Sequence, residues 1–213
     1  MSNLPVVNPA ELGKQLQAAT QRTVATDGIP FLRLIKSGEW VYSADDVEVQ
    51  EGSLWAVNPN SFMEGFVAWG EGELLGEEMQ PMTAAPILAA NLPAVDGAKR
   101  GWEKQTGFML LCLNGEDKGT QVMYKTSSKG GIKAVRQLVN DVVSKLGEDQ
   151  VNYVPRVELD MDSYKHKQYG KIYTPIFDVK EWGGFTEEAP AQEAAAPEQA
   201  PEPAKKRRRA IAS

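Results

Sequence analysis

One stretch of this chain has a long helical period, and it limits what the rest can fold into. Ile132, Val135, Leu138, Val139, Val142, Val143 and Leu146 recur at intervals of three and four residues. A helix over about 131–146 therefore has one apolar face, and that face must be covered by another layer. Gly147 offers a stop signal. The segments around it supply strands rather than helices. Alternating or aromatic-rich runs at 31–36, 39–42, 53–57, 65–69, 108–113, 120–126, 154–159 and 165–182 predict a sheet. Ser37-Gly38 and Asn58-Pro59-Asn60 mark turns between them, and Gly170 marks a break in the last run. Residues 81–101, rich in Pro, Ala and Gly, predict a long surface loop. The fold class is β-rich α+β with one major amphipathic helix.

Three regions follow from composition. Asn8-Pro9-Ala10-Glu11 reads as a helix start, so residues 1–27 are expected to form a helical arm. Residues 28–185 form the main domain. Residues 186–213 hold little but Ala, Glu, Pro and Gln before Lys205-Lys206-Arg207-Arg208-Arg209, which predicts a disordered tether with a basic tip.

Charge is unevenly distributed. The net charge is -6, yet residues 37–98 carry eleven acids and no Lys or Arg, whereas residues 99–186 carry fourteen bases against eleven acids. The acidic half argues against indiscriminate binding to polyanions. It does not exclude a basic groove elsewhere, because exposed charges are screened beyond about 8–10 Å. A single cysteine, Cys112, within an apolar run, and a single histidine exclude the usual zinc motifs. No apolar run reaches the roughly 18–20 residues of a membrane span, and the start lacks a secretory pattern, so a cytoplasmic protein is expected.

The densest chemical signal is the decamer 164–173, with three tyrosines, three lysines, His166 and no acid. Read as one extended strand, it sends Lys165, Lys167, Tyr169, Lys171 and Tyr173 to one face and Tyr164, His166, Gln168 and Ile172 to the other. Cations neutralise phosphates, and flat rings stack on unpaired bases. A second acid-free stretch holds Lys118, Lys125, Lys129, Lys133 and Arg136, where Thr126-Ser127-Ser128-Lys129-Gly130-Gly131 leads into the helix. Its N–H groups suit a phosphate, but its spacing is not that of a nucleotide-binding P-loop. The candidate nucleic-acid contacts are Lys125, Lys129, Lys133, Tyr164, Lys165, His166, Lys167, Tyr169, Lys171 and Tyr173. Glu158, Asp160 and Asp162 would share one strand face, a row able to bind Mg²⁺ in a nuclease; a solvated strand face is the preferred reading of it. No catalytic residue, metal ligand or cofactor is assigned.

A β-rich body, one helix between strands and an aromatic-basic strand near the end resemble OB-fold single-stranded DNA-binding proteins. The wording of residues 162–175, with Tyr164-Lys165-His166-Lys167 and Tyr169-Gly170-Lys171-Ile172-Tyr173, resembles phage-encoded proteins of DNA metabolism. This resemblance implies an OB-fold-like antiparallel barrel, a non-enzymatic role in replication or recombination, single-stranded DNA as partner, contacts with replication or recombination proteins, room for homo-oligomers, and the cytoplasm of a bacterial host. The chain departs from bacterial relatives of that kind in ending on a basic rather than an acidic tip. A protein-binding β-domain and, behind it, a nuclease stay open as alternatives.

Overall fold

A computed structural model describes residues 28–184. The expected N-terminal arm and C-terminal tether lie outside these residues. Ten strands and one long helix follow one another: β1 (Phe31–Leu34), β2 (Trp40–Tyr42), β3 (Val47–Glu48), β4 (Leu54–Val57), β5 (Met63–Trp69), β6 (Leu74–Pro81), β7 (Trp102–Cys112), β8 (Gln121–Thr126), α1 (Lys129–Glu148), β9 (Val154–His166) and β10 (Gly170–Gly183). All strands belong to one sheet, in the order β10-β9-β4-β7-β8-β1-β2-β3, with the β5–β6 hairpin also laid on β7.

The expected antiparallel barrel needs correction in two respects. First, the sheet is mixed, because β1 runs parallel to β8 through the pairs Phe31 with Met123 and Leu32 with Tyr124. Second, the hydrogen-bonded ladder stays open among the described residues, running from β10 at one end to β3 at the other. Position along the chain does not fix pairing, and β1 takes a partner some ninety residues distant.

Helix α1 starts where Ser128 accepts a hydrogen bond from the Gly131 N–H at 3.0 Å, a side-chain N-cap. Val135, Leu138 and Val142 are buried beneath it. Gly147 does not end the helix. It continues to Glu148, and the Asp149 N–H closes the last turn on the Lys145 carbonyl. The Asp149 carboxylate then accepts bonds from the N–H groups of Val151 (2.8 Å) and Asn152 (3.0 Å) and from the Asn152 side chain. These bonds, those of Asn152 foremost, hold its acid down at about 2. A depressed carboxyl stabilises the fold above its unfolded value and loses that contribution as pH falls through its folded one. The gap in urea midpoint between the native chain and Asp149→Asn should therefore narrow as pH falls from about 4 toward 2. A gap independent of pH would show that the charge is immaterial.

The core is aromatic. The Phe108 ring lies 5.4 Å from Phe62, 5.7 Å from Tyr124 and 5.0 Å from Phe177, and Trp40 packs on Tyr124 and Phe177 at 5.7 and 5.8 Å. Trp55 is fully buried, with its indole N–H donated to the Ser53 hydroxyl. Burying rings with offset or edge contacts is among the strongest forms of core packing. Trp69 alone of the acidic half's tryptophans is exposed.

Candidate functional site

Strand β9 does not stop at Leu159, and the decamer is not one strand. It is the end of a hairpin. β9 and β10 pair from Val154 with Gly183 to His166 with Gly170, and Lys167, Gln168 and Tyr169 form the turn. Gly170, at φ +76°, supplies the left-handed residue that a three-residue hairpin loop requires. β4 pairs with β9 only at Arg156–Glu158. The ribbon from Asp160 to His166 thus continues with β10 as its sole strand partner, for about 20 Å at the usual strand rise.

Pairing redistributes the decamer over two faces and a tip. Directly opposed residues share a face. Lys165 faces Lys171, and Ser163 faces Tyr173, on the face that carries Leu159 and Phe177 toward the core. Tyr164 and Ile172 pair on the opposite face, with His166 next along. The Tyr169 ring folds back from the turn and stacks on His166 at 4.8 Å, while the His166 Nδ1 accepts the Gln168 and Tyr169 N–H groups. Tyr164 and Tyr169 are 51% and 66% exposed, which leaves open ring faces. Tyr173 is half-buried against the β1–β2 turn, so close to Gly38 that a Cβ there would strike its ring, and the Lys171 ammonium sits 4.5 Å above its centroid.

The cations differ sharply in their availability. Lys165, Lys167 and Lys171 have no ion-pair partner among the described residues, and Lys165 directly opposes Lys171. Like charges in that relation repel, so the hairpin tip holds an uncompensated positive pair. Lys125 is different. It forms a 2.7 Å ion pair with Glu77 and lies over the Phe31 ring, with only 19% of its side chain exposed. As a phosphate contact Lys125 would first have to break that pair. Lys129 and Lys133 are exposed on the first turns of α1 and share a stripe with Arg136, at i, i+4 and i+7. The stripe begins beside the hairpin: a Cβ on Gly130 would touch the Thr174 side chain of β10.

The acidic row keeps one face of β9 but is already engaged. Glu158 pairs with Lys180 at 3.3 Å, and the carboxylates of Asp160 and Asp162 accept the N–H groups of Met161 and Ser163. Among the described residues no three Asp, Glu, His or Cys side chains converge as a metal site would require. No described helix is long and apolar enough to cross a membrane.

Lys104, on β7 and lining a cleft with Arg136, escaped the sequence reading because nothing in the local pattern ties it to the helix. Comparison with protein-family models, curated proteins and solved structures finds no match to this chain.

Proposed function

We propose that this chain is a non-enzymatic, phage-type single-stranded DNA-binding protein acting in replication or recombination, with the β9–β10 hairpin as its principal contact. One observation carries the reading: a protruding ribbon has an unpaired Lys165–Lys171 couple on one face and exposed Tyr164 and Tyr169 rings on the other. Phosphates would relieve the repulsion of the lysines, and unpaired bases would cover the rings. Connectivity supports the same reading. Strands β4, β7, β8, β9 and β10, with α1 between the third and fourth of them, follow the chain order of an OB-fold, a partly open Greek-key barrel. On that mapping the hairpin is the loop joining strands four and five, one of the two loops by which OB-folds hold oligonucleotides. Strand β1 lies beside β8, where the last strand of a simple five-stranded barrel would close.

A second reading is favoured by the hairpin that branches from β7. The β5–β6 hairpin exposes Trp69, Leu74 and Leu75, and β6 is an edge strand, features that suit a protein partner.

Fluorescence anisotropy with labelled single-stranded DNA, duplex and RNA of equal length at two salt concentrations separates the readings. Single strands should bind more tightly than duplex, with a log–log salt slope of about 0.7 per phosphate contacted. Equal affinity for single strand and duplex would remove stacking from the account, and no binding at low salt would leave the protein-partner reading.

A further inference from the structure

The burial of β5, β7 and β8 does not alternate. Residues 65–68, 105–108 and 122–124 are each buried in unbroken succession, whereas β4 alternates. Successive strand residues point to opposite faces, so unbroken burial means cover on both. One face is the aromatic core beneath α1, with Phe66, Phe108 and Tyr124. The other carries Val67, Gln105 and Met123, all buried, by the register of the strands. Apart from their sheet neighbours, the described elements packed most against these strands are α1 and the short turn at 59–61. The Lys125–Glu77 pair crosses part of the outer face, with the Lys125 stem over Gly107. The Gln105 Oε1 still has no hydrogen-bond partner among the described residues, and a buried carbonyl in that state calls for a donor.

The residues of this face say what kind of cover it takes. Met63, Met79, Met109 and Met123 all project onto it, and Phe31 stands exposed at its β1 margin. Methionines are adaptable and suit an apolar docking surface. Of the terminal segments, residues 186–213 hold one large apolar residue, Ile211, whereas residues 1–27 include Leu4, Val7, Leu12 and Leu16. Leu12, Leu16 and Ala19 fall at helical spacing, and Gln15, on the same stripe, carries the amide N–H that an unpaired carbonyl needs. A helix over 8–23 is about 24 Å long, enough to cross a face that runs about 14 Å from β8 over β7 and β5 to β6. The attachment is short. The described chain begins at Gly28, whose φ of +97° permits a sharp reversal, and Phe31 is already on this face. So close a tether makes docking an intramolecular event at high effective concentration.

We propose that the outer face of β5, β7 and β8 is the docking site of the chain's own N-terminal segment, residues 8–23, held there as a helix with Leu12 and Leu16 on the methionines. The sheet is then the middle of three layers, between this arm and α1. The inference does not depend on what the hairpin binds. Two measurements on the full chain test it. In the first, hydrogen peroxide oxidises the methionines, and mass spectrometry follows each of them in the native chain and in Leu12→Glu/Leu16→Glu. Met109 and Met123 should oxidise several-fold faster in the variant, while Met161, exposed on the ribbon, keeps its native rate. Unchanged rates at all four methionines of the face would overturn the proposal. Should that variant fail to fold, the second measurement decides. A benzophenone-bearing phenylalanine in place of Leu16 is photo-crosslinked in a mixture of isotopically light and heavy chains. Crosslinks within one chain to peptides that hold Met63, Met79, Met109 or Met123 are expected. Crosslinks between chains would give the face to a second copy, and crosslinks elsewhere, or none, would give it to another partner. Either result overturns the proposal.

Discussion

Replacing both Tyr164 and Tyr169 by alanine should weaken single-strand binding by roughly 2–6 kcal/mol, on the basis of about 1–3 kcal/mol per stacked base. The fold should be spared, because the two rings are 51% and 66% exposed and sit outside the core. Stacking is neutral in charge, so the salt slope should stay as it is. Lys165→Ala or Lys171→Ala should do the reverse, lowering the slope by about 0.7 each with a smaller loss of affinity. Lys165→Glu makes the sharpest comparison. It turns a repulsive cross-strand pair into an attractive one, which should raise stability by about 0.2–1 kcal/mol, while it repels phosphate and weakens binding. A substitution that stabilises the fold and weakens the function would identify Lys165 as kept for its ligand. Tyrosine variants that unfold without a change in intrinsic affinity would assign the rings to structure and remove them from the interface.

The decamer was visible in the sequence as a concentration of rings and cations, but its geometry was not. An extended strand places Lys167, Tyr169 and Tyr173 together. The turn at 167–169 separates them instead, moving Tyr169 onto His166 and Tyr173 onto Gly38. The signal for the turn was Gly170, read as a break, yet pairing of Lys165 with Lys171 follows only once the chain folds back there. Lys125 shows the same limit for charge. It lies in an acid-free stretch, but its neutralising partner Glu77 is 48 residues away on another strand. Helix α1 was legible because apolar residues repeat along it and the buried face is set locally, although Val143, expected on that face, is 63% exposed. Strand β6 was not, since Leu-Leu-Gly-Glu-Glu-Met-Gln-Pro has neither alternation nor a β-branched residue. It is a strand because β5 offers it a ladder from Met63 to Trp69. The open, mixed order of the sheet likewise comes from contacts between distant segments, which no local pattern encodes.

Phe108→Ala should produce the largest loss of stability of any single change considered, about 3–5 kcal/mol. The ring is fully buried and touches Phe62, Tyr124 and Phe177, so its removal leaves a cavity where three other rings meet. Against the roughly 5–15 kcal/mol that holds an ordinary domain together, that is a large share. Phe177 belongs to β10, so the cavity opens at the base of the ribbon that ends in the hairpin. The ribbon has other anchors: the Trp40 indole N–H donates to the Asp160 carbonyl at 3.0 Å, and Tyr173 lies against the β1–β2 turn. Those contacts should keep the tip in register as long as the chain stays folded. Affinity for single strands measured well below the melting temperature should therefore change by less than about twofold, whereas the melting temperature and urea midpoint should fall steeply. If Phe108→Ala instead weakens binding in the folded state as much as the loss of the tip tyrosines, the hairpin is not an independent contact. Its geometry would then be set by the aromatic core itself, through Phe177.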